Sequence, residues 1–358
     1  MSILDVIFIK KTHRICIYTS TEKHDANLVC VEQYLKYFHN EFEVIMLTEK
    51  PSGSFLERLK SKYYLLSSYV LIIDHKIPKF LNGYGRKIFN TWHGIPLKTI
   101  RYLDSDRFNE KFLQREGRLL SGLVCSSELD RAVMSACFQI HPNKCILSGL
   151  PRNDILLGGD DLVWFKDEQE LLLSKEIQGR RVISWMPTYR GTWNEGNVIS
   201  PFDSENESEL VETLKKYNCV LLVRSHKFSE IQELDLLRDE GLIINGDKYI
   251  NTNLVLKYTD ILITDYSSVW LDFSLISKKI ILFTYDKDEY QNERGTIYPL
   301  DLVFQGKIST DFNSLKKEII ALLQLSSISD FQASHMFFKY IDANNTKRFV
   351  DYVLDKIK

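Results

Sequence analysis

Short apolar segments alternate with helical segments along most of the chain, and this alternation constrains the fold more than any other feature. Apolar strands separated by helices favour parallel, doubly wound sheets covered on both faces. The strand candidates of the first half are Arg14–Thr19, Glu43–Thr48, Tyr69–Asp74, Arg86–Thr91 and Gly122–Ser126. Those of the second half are Arg181–Trp185, Cys219–Val223, Gly241–Asn245, Asp260–Thr264 and Lys279–Thr284.

The two series of strands are separated by a break at residues 148–161, where SGLPRND and LGGDD interrupt regular structure. With 358 residues the chain is too long for one ordinary core. We therefore predict two α/β domains, residues 1–160 and 161–334. Helices are predicted at Asn27–Phe38, Phe55–Lys62, Ser127–Phe138, Leu162–Lys175, Val269–Ser277, Asp311–Leu325 and Asn345–Ile357.

A histidine motif, TWHGIPLK, follows the predicted strand that ends near Asn90. Ligands of parallel sheets gather outside the carboxyl ends of the strands. His93 in this motif stands beside a glycine and a proline, so we expect a partly exposed imidazole that titrates near neutrality and suits a general base. The alternative is a hydrogen-bonded structural histidine beneath Trp92.

Two serines, Ser267 and Ser268, stand between the strand at 260–264 and the helix predicted from Val269. The first N–H groups of a helix lack internal partners and attract anions, and the hydroxyls add donors. This stretch is therefore a candidate diphosphate cradle, although a serine that only caps its helix would give the same pattern. Two further strand ends deliver Arg190 and His226 toward the same edge, as expected of a phosphate site.

Composition and charge exclude several other classes. The net charge of −2 gives no argument for a nucleic-acid partner, and the six cysteines are scattered, as in a cytosolic protein with reduced thiols. No apolar run approaches the ~20 residues that cross a bilayer, and no secretory signal is recognisable. Two D-x-D pairs, at Asp104 and at Asp286, are weak metal signals, so neither a metal nor another cofactor is expected.

A local excess of positive charge lies between Lys79 and Arg118, with nine Lys/Arg against four acidic residues. It is either a solvated face or a groove for an anionic acceptor or a phospholipid surface. We expect a cytoplasmic protein that can touch the inner face of the membrane only peripherally.

Six motifs in this order resemble the CDP-glycerol glycerophosphotransferase family, which builds teichoic acids and related capsular phosphopolymers. They are TWHGIPLK at 91–98, GLPRND at 149–154, MPTYR at 186–190, RSHK around His226, ITDYSSVWLDF at 263–273 and YDKDEYQNERG at 285–295. The resemblance covers roughly residues 85 to 300. It implies a GT-B fold, with two Rossmann-like domains facing across a cleft, donor on the second domain, acceptor on the first, and the helix at 335–358 joining the first domain.

The resemblance also implies roles for individual residues. His93 matches the proposed base, which would take the proton of an acceptor hydroxyl, and His226 matches the histidine that steadies the diphosphate and the departing CMP. Asp272 matches the acid that orients glycerol or ribose hydroxyls. The donor-binding candidates are Pro187, Thr188, Arg190, Arg224, Thr264, Ser267, Ser268, Asp272 and Arg294, and the acceptor-binding candidates are Trp92, Gly94 and Lys98.

The implied activity is transfer of glycerol phosphate, or of another polyol phosphate such as ribitol phosphate, from its CDP ester to a hydroxyl of a lipid-linked or polymeric anionic acceptor, with release of CMP. A GT-B glycosyltransferase using a nucleotide sugar is the enzymatic alternative, and a non-catalytic nucleotide-binding scaffold is the third. Departures from the family pattern are a loose match at 18–37, Asp342-Ala343-Asn344 in place of the usual Asp-Gly, and no counterpart of the long amino-terminal extension of the large polymerases, so a minimal version is expected.

Overall fold

The chain divides into two α/β units. The computed structural model describes residues 3–49, 54–107, 109–188, 198–199, 201–225, 230–231, 234–277, 279–287, 296–304, 306–325 and 335–357. Unit 1 comprises Met1–Pro96, Ile100–Lys166 and Ser334–Lys358, and unit 2 comprises Leu97–Thr99 and Asp167–Ala333. The main division falls between Lys166 and Asp167, near the one predicted after residue 160; the roles assigned to the two domains stay predictions.

Unit 1 is built on a six-stranded parallel sheet in the order β2-β1-β3-β4-β5-β6. Its strands are β1 (Lys11–Thr19), β2 (Glu43–Thr48), β3 (Ser68–Ile73), β4 (Lys87–Asn90), β5 (Gly122–Cys125) and β6 (Cys145–Leu147). Its first helices are α1 (Ile3–Ile7), α2 (Ala26–Phe38), α3 (Phe55–Ser67), α4 (Glu110–Leu119), α5 (Glu128–Phe138) and α6 (Asp154–Leu157). The strand order changes direction between β1 and β3, which is where such sheets open a ligand crevice.

Unit 2 repeats the plan, with a six-stranded parallel sheet in the order β11-β9-β7-β12-β13-β14 and a separate two-stranded pair of β8 and β10. Its strands are β7 (Arg181–Met186), β8 (Val198–Ile199), β9 (Cys219–Val223), β10 (Glu230–Ile231), β11 (Ile243–Asn245), β12 (Ile261–Thr264), β13 (Ile280–Phe283) and β14 (Lys307–Ser309). Its helices are α7 (Glu170–Ile177), α8 (Ser204–Lys216), α9 (Asp235–Asp239), α10 (Thr252–Lys257), α11 (Val269–Phe273), α12 (Leu300–Val303) and α13 (Phe312–Gln324). The six-stranded order is that of a Rossmann sheet, with its switch point between β7 and β12.

The last helix, α14 (Asn345–Asp355), belongs to unit 1. The Asp154 carboxylate accepts hydrogen bonds from the backbone N–H groups of Asn345 and Thr346, at 2.9 and 2.8 Å. Phe349 and Val350 are buried on the inner face of α14. One carboxylate therefore satisfies the free amino end of α14 and attaches that helix to unit 1.

The prediction of two parallel α/β sheets is confirmed. Apolar side chains fill β3, β12 and β13, which are buried almost throughout, and β1 is buried from Arg14 to Thr19. All six cysteines are buried free thiols, as their spacing predicts. Within the described ranges, no helix has the length and apolar character that a membrane crossing requires.

Candidate functional site

The carboxyl ends of β7 and β12 are tied together at the switch point of unit 2. Both carboxylate oxygens of Asp265 accept the N–H of Thr188, at 2.9 and 3.0 Å. The Thr264 hydroxyl donates to the Met186 carbonyl at 2.6 Å. Thr188, Thr264 and Asp265 are all buried. The structure thus brings the predicted Pro187-Thr188 and Thr264 positions to one edge, where the ligand crevice of a doubly wound sheet lies.

Ser267 and Ser268 follow β12 at the same edge. Ser267 Oγ accepts the N–H of Val269 at the long distance of 3.4 Å, and Ser268, at the N-cap position, makes no capping bond with its side chain. Because strong caps are made by a short side-chain bond, capping accounts for these serines only weakly. Their role in binding phosphate stays a prediction.

Helix α11 is shorter than the predicted Val269–Ser277, because it ends at Phe273. The N–H groups of Leu275 and Ile276 bond the carbonyls three residues earlier, at 3.1 and 3.0 Å, so the chain tightens into turns beyond the helix. Asp272 is buried within α11. The dipole of this short helix is smaller than that of the predicted one, so the predicted phosphate site would depend more on hydroxyl and backbone donors.

Arg224 has a structural task in unit 2. Its guanidinium donates to the carbonyls of Gly246, Tyr249 and Ile250 and so closes the turn after β11 onto the end of β9. Three other predicted site residues, Arg190, His226 and Arg294, lie outside the described residues. Lys98 belongs to unit 2, where its backbone pairs with Thr296, whereas the other two acceptor candidates belong to unit 1.

His93 lies at the carboxyl edge of unit 1, just after β4. Trp92 has a left-handed backbone, with φ of 51°, and its indole stacks on the His93 imidazole with 4.0 Å between ring centroids. Gly94 follows with φ of 135°, a conformation that favours glycine. Arg152 Nη1 donates to the His93 carbonyl at 2.9 Å. The backbone of the motif is therefore fixed while the half-buried imidazole stays at the edge of the sheet.

A second histidine, which the motifs in the sequence did not reveal, lies beside His93. The rings of His75 and His93 are stacked, with centroids 4.4 Å apart and planes 20° apart. The carboxylate of Asp74, directly after β3, lies 2.9 Å from His75 Nδ1. A signal for this pair is present in the sequence, because LIIDH places Asp74 and His75 at a strand end next to the strand that carries His93.

The side-chain amides of Asn90 and Asn27 join the loops that carry His75, Trp92 and Arg152. Asn90 Nδ2 donates to the His75 carbonyl at 3.2 Å, and Asn90 Oδ1 accepts the Trp92 N–H at 2.7 Å. Asn27 Nδ2 donates to the Trp92 carbonyl at 3.2 Å, and Asn27 Oδ1 accepts the Arg152 N–H at 3.0 Å. Two amide side chains thus bind loops from four parts of the chain into one structure.

Asp25 adds a second carboxylate to this edge of unit 1. Burial raises its pKa, an effect that Arg152, 3.8 Å away, and the Asn27 N–H oppose. Asp74 contributes further to the increase through its negative charge. The site in unit 1 therefore combines two imidazoles, two carboxylates and one guanidinium at the carboxyl ends of neighbouring strands.

Three of the nine basic residues between Lys79 and Arg118 form hydrogen bonds or ion pairs with other groups of unit 1. Arg86 is buried and hydrogen-bonded to Asp5, and Arg101 forms a buried pair with Glu116 at 3.0 Å. Arg115 donates to the carbonyls of three residues between 78 and 81. The local excess of charge is therefore smaller at the surface than the sequence suggests.

The chain matches the family model described as CDP-Glycerol:Poly(glycerophosphate) glycerophosphotransferase over residues 8–355. It is 27% identical to the teichoic acid ribitol-phosphate polymerase TarK of Staphylococcus aureus (strain NCTC 8325 / PS 47), over 74% of this chain and 52% of TarK. It is 26% identical to the teichoic acid glycerol-phosphate primase of Bacillus subtilis (strain 168), over 82% of this chain and 76% of the primase. The chain thus spans about half the length of TarK.

Solved structures with the same fold include the wall teichoic acid polymerase TagF in its H444N variant soaked with CDPG. The TM-score is 0.75 at 20% identity, over 97% of this chain and 89% of the TagF chain. The UDP-GlcNAc 2-epimerase of Methanocaldococcus jannaschii matches with a TM-score of 0.55 at 12% identity, over 96% of this chain and 99% of that one. At these identities the likeness is one of fold.

Proposed function

The chain belongs to the CDP-glycerol:poly(glycerophosphate) glycerophosphotransferase family, and from this premise we propose that it transfers a polyol phosphate from its CDP ester to an acceptor hydroxyl and releases CMP. The main support for the proposal is the hydrogen bond from the Thr188 N–H to the Asp265 carboxylate. Through this bond the MPTYR and ITDYSS motifs lie side by side at the switch point of unit 2. Relatives named for ribitol phosphate and for glycerol phosphate both match, so both polyols are candidates.

The proposed reaction is an in-line displacement at the β-phosphorus of the donor. The acceptor oxygen forms a bond to phosphorus as the bond from phosphorus to the CMP oxygen breaks, and His93 takes the hydroxyl proton. Ser267, Ser268 and the backbone of unit 2 would hold phosphate oxygens, and His226 would steady the departing CMP. Phosphoryl transfer depends mainly on positioning and charge stabilisation, so the scheme needs no covalent enzyme intermediate.

The acceptor we propose is the hydroxyl end of a lipid-linked or polymeric phosphate chain in teichoic acid or capsule synthesis, used at the cytoplasmic face of the membrane. Helix α3 supports a peripheral contact better than residues 79–118 do. Phe55, Leu56 and Leu59 are 73%, 74% and 46% exposed on one face of α3. Three basic residues and one acidic residue accompany them, which suits a surface of anionic lipid.

The test is CMP release by the purified full chain, with CDP-glycerol and CDP-ribitol compared against a glycerol-phosphate primer, in buffers containing either Mg²⁺ or EDTA. Primer-dependent CMP from one donor supports the transfer and identifies the polyol. Equal rates in EDTA would agree with the expectation that no metal is needed. If neither donor gave CMP and a UDP-sugar gave UDP, the proposal would be overturned in favour of a glycosyltransferase.

A further inference from the structure

Arg152, in the GLPRND motif, lies between the loop after β1 and the loop that carries His93. Its Nη1 donates to the His93 carbonyl at 2.9 Å and lies 3.8 Å from Asp25 Oδ2. Only 11% of its side chain is exposed. A guanidinium has rigid, directional donors, so one such group can bond a carbonyl and face a carboxylate in a fixed geometry. Arg152 therefore joins the His93 backbone to Asp25, the residue that caps α2.

The backbone of Arg152 is held from the same helix. Asn27, in the first turn of α2, accepts the Arg152 N–H at 3.0 Å through Oδ1 and donates to the Trp92 carbonyl at 3.2 Å through Nδ2. Asn27 and Arg152 are both buried, so these bonds form away from water, where a hydrogen bond is stronger. Two side chains that are themselves connected thus bond two successive carbonyls, those of Trp92 and His93.

The conformation of Trp92 gives a physical reason why these two carbonyls need to be held. Its φ of 51° lies in the left-handed region, which bulky side chains rarely adopt. Such a conformation persists only where the surrounding contacts determine it, and it is frequent at functional sites. Without the bonds from Asn27 and Arg152, fewer contacts would oppose the return of this backbone to an ordinary conformation, and the imidazole of His93 would move with it.

We propose that Arg152 is a positioning residue for His93: it holds the backbone that places the imidazole and does not itself touch substrate. Through the His93 carbonyl it fixes where this ring stacks on Trp92 and His75, with centroids 4.0 and 4.4 Å away. A base must lie within hydrogen-bond reach of the acceptor hydroxyl, so a displacement of roughly 1 Å is enough to slow the reaction. The inference rests on the proposed function for the role of His93 as base, but the position of the ring can be measured without turnover.

The position of the His93 ring can be measured by NMR of the full chain labelled with ¹³C at histidine Cε1, where the His93 signal is the one that His93→Ala lacks. Because stacked aromatic rings shield a proton that lies over them, this signal should lie upfield of those of exposed histidines. Arg152→Ala should move it toward their values. Arg14→Ala is the matched control, because Arg14 is also a buried arginine of unit 1 and lies 2.7 Å from the Glu43 carboxylate, but near the amino end of β1. It should leave the His93 signal in place.

Release of CMP gives the second measurement. Arg152→Ala should lower kcat about 100-fold, as expected for a base displaced by roughly 1 Å. The KM for the CDP donor should not change, since the proposed donor-binding residues lie in unit 2. Arg14→Ala should lower the melting temperature and keep the wild-type kcat, because a loss of stability alone does not move the base while the chain is folded.

Asp25→Asn tests the same arrangement with a milder change, should Arg152→Ala fail to fold. An asparagine can still cap α2 by accepting the Asn27 N–H, but it no longer carries the charge that faces the guanidinium. We expect the His93 signal to move in the same direction by a smaller amount, and kcat to fall by less than in Arg152→Ala.

An unmoved His93 signal in Arg152→Ala, or equal losses of kcat in Arg152→Ala and Arg14→Ala, would overturn the inference. If the wild-type chain released no CMP but the His93 signal moved in Arg152→Ala and stayed in place in Arg14→Ala, the proposed reaction would be wrong, and the positioning of His93 by Arg152 would stand.

Discussion

At the scale of single residues, the Asp265 carboxylate joins two strand ends that carry the proposed donor site of unit 2. It receives the Thr188 N–H through both oxygens and so fixes the end of β7 against the end of β12. In Asp265→Ala this N–H loses its partner, and we expect the KM for the CDP donor to rise about tenfold or more, because a misplaced loop weakens phosphate positioning. Steady-state kinetics at varied donor concentrations measure this KM.

Asp260 offers a matched control for this prediction. Asp260 Oδ2 accepts the Val182 N–H at 2.7 Å, which is the same kind of bond between the same two strands at the opposite edge of the sheet. Asp260→Ala should lower the melting temperature about as much as Asp265→Ala does, and it should leave the KM for the CDP donor unchanged. A donor KM that rises equally in both variants would show that Asp265 acts only through the stability of unit 2.

The imidazole of His93 is the proposed base, and its removal gives a separate prediction. His93→Ala should lower kcat about 100-fold to 10,000-fold, because general-base catalysis contributes that much when the base is correctly placed. Affinity for the donor should not change, since the proposed donor-binding residues lie in unit 2. Single-turnover CMP release and donor titration measure the two quantities. Wild-type turnover in His93→Ala would remove His93 from the mechanism.

At the scale of elements, one buried carboxylate satisfies the amino end of α14, whose apolar face also packs on unit 1. Asp154 accepts two backbone N–H groups at the start of the helix and the side-chain amide of Asn345. Asp154→Ala leaves the two backbone N–H groups buried without this acceptor, so we expect the free energy of unfolding to fall by about 3 kcal/mol. Chemical denaturation measures the change. Asp351→Ala removes an exposed i,i+4 pair with Lys347 and should cost less than about 0.5 kcal/mol.

Helix α3 gives a prediction about membrane contact. Replacing Phe55 and Leu56 together by Ser removes most of its exposed apolar surface without touching its buried residues, and we expect weaker co-sedimentation with phosphatidylglycerol vesicles. The comparison variant, Lys111→Ser with Arg118→Ser, changes two basic residues of the stretch at 79–118. If only the second variant lost vesicle binding, that stretch would be the membrane contact and α3 would be excluded.

The elements that can be predicted from the sequence are the long, apolar ones. Strands such as β1 and β12 are predictable because a continuous apolar run between polar turns is typical of a buried strand in a parallel sheet. The three-residue strands β6 and β14 are not, since so short a run beside a glycine or a polar loop carries no periodicity. The end of α11 is predicted too late because the apolar pattern continues through the turns that follow Phe273.

The residues of the candidate site also fall into those that can be predicted from the sequence and those that cannot. Motif residues at strand ends are predictable, because in a parallel sheet the order of the strands brings their carboxyl ends to one edge. Hydrogen bonds between distant loops cannot be predicted, since nothing in the sequence connects Asn27 with Arg152 or Asn90 with His75. The same limit applies to Arg86 and Arg101, because a sequence does not show that their charges have buried partners.

At the scale of the whole molecule, buried carboxyl groups make the stability of unit 1 depend on pH. Burial raises the pKa of Asp130 to about 7, although the Ser126 N–H, 2.7 Å from its carboxylate, opposes the effect. Burial likewise raises the pKa of Asp154 to about 6, opposed by its hydrogen bonds to Thr346 and Asn345. Unfolded aspartate has a pKa of about 3.9, so between about pH 4 and pH 7 the folded state binds more protons than the unfolded one.

The stabilisation from these two carboxyl groups is therefore fully present below about pH 4 and is lost as pH rises through about 6 and 7. Differential scanning calorimetry between pH 5 and pH 8 should show a transition whose midpoint falls as pH rises. Asp130→Asn should flatten this slope and raise the midpoint at pH 8, because an amide has no charge to bury and can still accept the Ser126 N–H. Asp351→Asn, at an exposed position, should leave the slope intact. A slope that persists unchanged in Asp130→Asn would mean that this carboxyl is ionised in the folded state at a much lower pH than its burial implies.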